Sequence, residues 1–294
     1  MLHALSLPRL MRLGQIVLIA AGLTGAASMA RAAGEVRVAS INMCTDQLLL
    51  DLARPEQIVG LSPFARDASR SWAAERAAAF PILSGTAEEI LVLKPDLVVS
   101  GRYTRRATRE FIRARRFRVE EFDVVRTVAE AKAQILRMAA IVGAGERGRQ
   151  RAAELDAAME RLKAAARRQQ LRVLPLARRG WVSGQDSVLT DLLATAGLVN
   201  AAGEAGRRSG GFMSLEAIVM LRPDAVLVSR DDDRAEDQGQ ALMLHPAIAD
   251  MFPPERRIVM PESLTVCGGP MLVEAIDRLA AQIQGLKPRH AASR

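Results

Sequence analysis

From residue 36 onward the chain alternates short apolar runs with stretches whose apolar residues recur at helical spacing. Val36-Arg37-Val38-Ala39-Ser40 reads as a first strand, and Cys44-Thr45-Asp46 ahead of the Leu-rich run 47–52 reads as a capped helix start. Ile58-Val59-Gly60-Leu61 predicts a second strand, and the Ala-rich stretch 71–79 predicts a helix that Pro81 ends. Residues 86–100 predict a helix, a Pro-Asp break and a buried strand; 104–115 predict a helix and 118–123 a strand. Strands alternating with helices specify an α/β architecture with mainly parallel sheets.

Between 127 and 170 the pattern becomes helical without strands. Leu155, Met159, Leu162 and Ala166 form one apolar stripe, and residues 146–168 would span about 35 Å as a helix. Alternation then resumes: strand 171–176, helices 187–196 and 214–221, strand 225–229, strand 257–260 and helix 271–284. The predicted organisation is an N-terminal lobe (33–126), a connecting helical segment (127–170) and a C-terminal lobe (171–294), the two lobes joined by a single long helix.

An internal repeat supports two lobes. Residues 86–100 (TAEEILVLKPDLVVS) align without a gap on 214–228 (SLEAIVMLRPDAVLV), 128 residues later, with six of fifteen positions identical. Both copies open on a hydroxyl N-cap, and Thr86 with Glu89 fits a capping box. Both helices stop where proline forbids continuation. Two copies at this separation indicate duplicated lobes, since a solenoid needs more copies at a shorter period. Glu88 and Glu216 occupy equivalent places. Complementing a helix dipole explains either singly, but explains less well their identical placement.

The first 32 residues change the picture of charge and compartment. Arg9 and Arg12 precede an apolar stretch at 16–23, and small residues lead to Ala30-Arg31-Ala32, an A-x-A cleavage pattern. The stretch is short and Gly-containing for a membrane span, so residues 1–32 are expected to be a secretory signal peptide, with Met11 an alternative start. No cysteine near the cleavage point suggests a lipid anchor. The segment carries three arginines and no acid, so its removal lowers the formal charge from +8 to +5. That charge is interspersed with acids, and no nucleic-acid partner is implied. In an oxidising compartment the two cysteines, Cys44 and Cys267, are either joined in a disulfide or are two separate small buried residues.

The Glu-Ile-x-x-Leu-Lys/Arg-Pro-Asp unit in both halves, the opening Val38-Ala39-Ser40-Ile41-Asn42 and the late Cys267-Gly268-Gly269-Pro270 together resemble the periplasmic binding proteins of iron-siderophore, haem and cobalamin importers. The resemblance implies two α/β lobes joined by a rigid helix, ligand in the cleft between them, small closure on binding, and a monomer in the periplasm. It implies that Glu88 and Glu216 dock onto arginines of an inner-membrane ABC permease. Ligands of open α/β sheets lie beyond the carboxyl ends of the strands. That topology nominates Asn42, Phe64, Arg66, Arg102 and Tyr103 in the first lobe. In the second it nominates Arg178, Arg179, Trp181, Phe212 and Arg230. Aromatic faces suit a large chelate, and arginines an anionic one. Arg105, Arg106, Arg113, Arg115 and Arg116 are expected on solvated surface.

Other chemistry is disfavoured. Only His3, His245 and His290 exist, too few and too scattered for a metal centre, and His245 before Pro246 reads as a helix start. No cofactor is expected. Gly143, Gly145 and Gly148 match a dinucleotide fingerprint, but a helix rather than a strand precedes them, so a break between two helices is the better reading. Ser183 lacks the nucleophile-elbow pattern. The expected function is a non-enzymatic carrier of a ferric siderophore or similar iron chelate. A cobalamin or other corrinoid carrier and a haem carrier are the alternatives within the class. A haem carrier would hold its ligand through Tyr103, although in haem binders of this family the ligating tyrosine sits elsewhere in the first lobe. An exported α/β enzyme is the alternative from another class and would need a converging nucleophile and base.

Overall fold

The structure, a computed structural model, describes residues 36–168, 170–229 and 245–287; the expected signal peptide, His3, His290 and Arg230 lie outside them. In the first lobe, buried runs become the strands β1 (Val38–Ser40), β2 (Ile58–Gly60) and β3 (Leu97–Gly101), and the half-buried Val119–Phe122 becomes β4. They form one parallel sheet in the order β2-β1-β3-β4. The helices α1 (Met43–Leu52), α2 (Ala74–Ala77), α3 (Ala87–Leu93) and α4 (Arg106–Ala114) connect them. The helix expected over 71–79 shrinks to the four residues of α2, with turns on either side.

The second lobe contains β5 (Arg172–Ala177), β6 (Trp181–Val182), α7 (Val188–Thr195), β7 (Val199–Asn200), β8 (Gly211–Phe212), α8 (Leu215–Leu221) and β9 (Ala225–Val228). The helix Pro246–Met251, the strand β10 (Arg257–Val259) and the helix Leu272–Ile283 follow. Strands β10, β9 and β5 run parallel, β7 adds to β5, and β6 and β8 extend the sheet antiparallel. The two-residue strands β6, β7 and β8 were not legible in the sequence, because such segments carry no periodicity.

The connecting segment is divided by Gly143. Helix α5 (Val128–Val142) begins at Thr127, whose hydroxyl accepts from the Glu130 N–H at 3.1 Å, and ends on Gly143 in the left-handed conformation (φ 72°). Helix α6 (Gly145–Ala164) is then 20 residues long, about 30 Å, shorter than the rod predicted over 146–168. It packs back along α5. At Gly148 a Cβ would stand 2.4 Å from the Ala139 Cβ, so only glycine allows the two helices this close. The glycines that imitate a nucleotide fingerprint are therefore a helix stop and a helix crossing.

The repeat is structural as well as sequential. Lys94 and Arg222 close α3 and α8 in the left-handed conformation, at φ 45° and 50°. Two residues on, the Asp96 carboxylate accepts the Arg37 N–H at 2.7 Å, and the Asp224 carboxylate accepts the Arg172 N–H at 2.8 Å. Each arginine also donates from its guanidinium to the carbonyl of the left-handed residue, at 3.0 and 2.9 Å. Each Pro-Asp pair thus pins the helix-to-strand turn to the strand beside it. The capping box expected in the first copy is not formed. Thr86 makes no cap bond, and Glu89 instead accepts from the Ser84 N–H and hydroxyl. In the second copy Ser214 does cap α8, accepting from the Ala217 N–H at 3.3 Å.

One large core joins the lobes. Leu48 and Leu49 of α1, Ile135 and Met138 of α5, Leu155 and Leu162 of α6, Leu192 of α7, and Ile276 belong to a single buried cluster. Two smaller cores lie under α3 and α8, centred on the buried Ile90 and Ile218. Cys44 and Cys267 are bonded, with Cα atoms 5.3 Å apart across a sequence separation of 223.

Candidate functional site

The disulfide joins the two lobes. Cys44 lies four residues beyond the carboxyl end of β1, and Cys267 eight residues beyond that of β10. The bond therefore ties the start of α1, beyond the carboxyl end of β1, to the loop beyond the carboxyl end of β10. Beside it, Gly268 lets the late loop press against the first lobe, since a Cβ there would stand 2.3 Å from the Val125 side chain. Arg70 reaches Glu262 at 3.6 Å across the same junction.

On the first-lobe rim, Asn42 is engaged at the base. Its carboxamide oxygen accepts from the Cys44 and Thr45 N–H groups, capping α1, and its nitrogen faces Gly101, where a Cβ would stand at 2.5 Å. Beneath it, Asp46 is fully buried. It accepts from the Ser62 N–H at 3.0 Å and from the Ser62 hydroxyl, and burial pushes its carboxyl up to about 7. Phe64 is half exposed, with the Arg70 guanidinium 5.8 Å from its ring centre. Arg66 donates to the carbonyls of Ala77, Ala78 and Phe80, so its guanidinium fastens its own loop.

Tyr103 stands 80 % exposed on the loop after β3. Beside it Arg102 pairs with Asp123 at 3.0 Å, in solvent. The loop is held from below by Arg109 of α4, whose side chain is only 11 % exposed and donates to the carbonyls of Arg102 and Thr104. Sequence reasoning missed Arg109 because nothing separates it from the other arginines of a basic helix until its carbonyl partners are seen.

On the second-lobe rim, β6 and β8 place Trp181 directly opposite Phe212. Their rings meet edge to face, with centroids 5.0 Å apart, and both remain substantially exposed. The turn into β6 needs Arg179 at φ 59° and Gly180 at φ 76°, which leaves Arg178 and Arg179 exposed. The loop behind is organised by buried Asn200, which donates to the Ser183 and Gly184 carbonyls and the Thr190 hydroxyl. Ser183 has no base beside it among these contacts. His245 accepts from the Ala247 N–H at 3.2 Å, in a helix-start role. Among the described residues no three His, Cys, Asp or Glu side chains are placed to hold a metal ion.

Away from the rims, Glu88 and Glu216 are exposed in the first turns of α3 and α8. Glu216 is held below the ordinary carboxylate range by its own N–H, the Ser214 hydroxyl and nearby His245.

A family model described as periplasmic binding protein matches residues 38–253. Among solved structures, the chain is similar to the periplasmic haem-binding protein RhuT from Roseiflexus sp. RS-1 in its apo form, with 26 % identity and TM-score 0.69, covering 85 % of this chain and 98 % of that one. A periplasmic haem-binding protein from Pseudomonas aeruginosa matches with 20 % identity and TM-score 0.68, over 86 % of this chain and 95 % of that one. The protein HutB of Vibrio cholerae, a periplasmic haem-binding protein, matches with 19 % identity and TM-score 0.66, over 84 % and 98 %. Among curated proteins no match is found.

Proposed function

Because the chain belongs to the periplasmic binding protein family, we propose that it carries a ferric siderophore or similar iron chelate through the periplasm to an ABC permease, as a monomer and without catalysing a reaction. The observation that carries this reading is the placing of aromatic surface. Only 3 % of the chain is aromatic, yet Phe64 and Tyr103 on loops after β2 and β3, and Trp181 and Phe212 on the short strands β6 and β8, are 40–80 % exposed. Exposed rings in both lobes suit a bulky, partly apolar ligand. Arg178 and Arg179 add positive charge for an anionic one. In this reading Asn42, Arg66 and Arg109 shape the rim, and Phe64, Arg102, Tyr103, Trp181 and Phe212 touch ligand, with Arg230 expected to do so as well. Glu88 and Glu216 dock onto basic residues of the permease.

A second reading, a haem carrier, is favoured by the 26 % identity to a haem-binding protein and by the exposure of Tyr103. One titration separates the two. Protein freed of its first 32 residues is titrated with ferric hydroxamate siderophores, haem and cobalamin, following tryptophan fluorescence and visible absorption. Saturable quenching by a siderophore, weakened roughly tenfold or more in Trp181→Ala, is expected. A haem absorption change that disappears in Tyr103→Phe would transfer the assignment to haem. Absence of saturable binding by every ligand would reject the carrier role.

A further inference from the structure

The duplicated helices carry a second matched pair besides their glutamates. Val92 and Met220 are equivalent in the repeat, and they are 80 % and 81 % exposed. Each follows its glutamate by four residues, so Glu88 with Val92, and Glu216 with Met220, share one helix face. The opposite faces are also matched, since Ile90 and Ile218 are both fully buried. Lys94 and Arg222 are both exposed at the left-handed stop. Each lobe thus presents the same short series outward: carboxylate, apolar side chain, cation.

Single exposed apolar residues are ordinary, but the same residue position in two diverged copies is not scatter. Helix propensity does not explain Val92 either, because a solvated β-branched valine is a poorer helix former than the charged residues that suit that position. We propose that Val92 and Met220 are apolar anchors of the permease contact, each entering an apolar recess beside the basic residue that receives Glu88 or Glu216. The partner is accordingly a membrane protein that offers the same basic-and-apolar socket twice. This rests on the carrier reading and divides the labour within it. The carboxylates set encounter rate and register, and the anchors, desolvated on contact, set the lifetime of the complex.

The test uses the chain freed of its first 32 residues and the ABC permease complex of the same organism in lipid nanodiscs. Binding kinetics are read at low and high salt, with chelate affinity and melting temperature measured in parallel. Val92→Ser and Met220→Ser are each expected to weaken permease binding roughly tenfold, through faster dissociation and with unaltered salt dependence. Chelate affinity and melting should stay at wild-type values, and Val92→Ile and Met220→Leu should bind normally. The double Glu88→Ala, Glu216→Ala variant should instead slow association and flatten the salt dependence. If the double serine variant binds the permease within twofold of wild type while the double alanine variant is impaired, the anchors are refuted and the carrier role stands. If the wild type binds neither permease nor any chelate, both fall.

Discussion

Asp46 and Asp51 lie one and a half turns apart on α1, both fully buried, in opposite electrostatic settings. Asp51 is met by Arg151 at 2.8 and 2.9 Å, with Arg76 and Arg147 within 4 Å. Asp46 is faced by Ser62 and Ser40 and by no cation among these contacts. Desolvation therefore outweighs its hydrogen bonds and raises its carboxyl from 3.8 to about 7. A raised acid binds more protons folded than unfolded between these values. Its contribution is present in full below about pH 4, falls as pH rises through the window, and is flat above about pH 7. The total is at most roughly 4 kcal/mol. Asp46→Asn keeps an acceptor for the Ser62 N–H and removes the charge. Denaturant unfolding at pH 5 and pH 7.5 is expected to show the variant gaining stability relative to wild type at the higher pH. An unchanged difference between the two would mean that Asp46 titrates normally.

At the scale of elements, the repeat was the most legible part of the sequence. Its helix, proline stop and buried strand follow from local chemistry, and they occur as predicted in both copies. What the sequence did not reveal is why aspartate follows proline, since Arg37 and Arg172 lie 59 and 52 residues away. The exposed aromatics Tyr103, Trp181 and Phe212 stood out in the sequence because aromatic residues are few in this chain. The arginines were not, because Arg66 and Arg109 differ from solvated arginines only through the carbonyls they meet after folding. The equivalence of the two turns is open to measurement. Asp96→Ala and Asp224→Ala should each lower unfolding stability by about 1–2 kcal/mol, with nearly additive effects because the sites are in separate lobes. A loss in one variant only would show that the copies no longer carry equal roles.

At the scale of the molecule, the lobes have separate sheets but share a core. Helices α1, α5, α6 and α7 and the helix Leu272–Ile283 all contribute to one buried cluster, so neither lobe can lose its packing without exposing the other's. Rigid-body movement of the lobes is accordingly expected to be small, since large hinge motions need linkers outside a common core. Calorimetry of the ligand-free protein is expected to show a single transition, with calorimetric and van't Hoff enthalpies equal. Two resolved transitions would show that the lobes melt independently.

The disulfide described at the junction has a further, topological consequence. From Cys44 to Cys267 the chain is a closed covalent ring, with β1 before it and the helix Leu272–Ile283 after it in the chain. A single cleavage anywhere in that ring opens it without releasing a fragment, because each cut end remains joined through the sulfurs. Strands β2 to β10 and helices α3 and α8 lie inside the ring, so a molecule nicked once within it keeps them in one covalent piece.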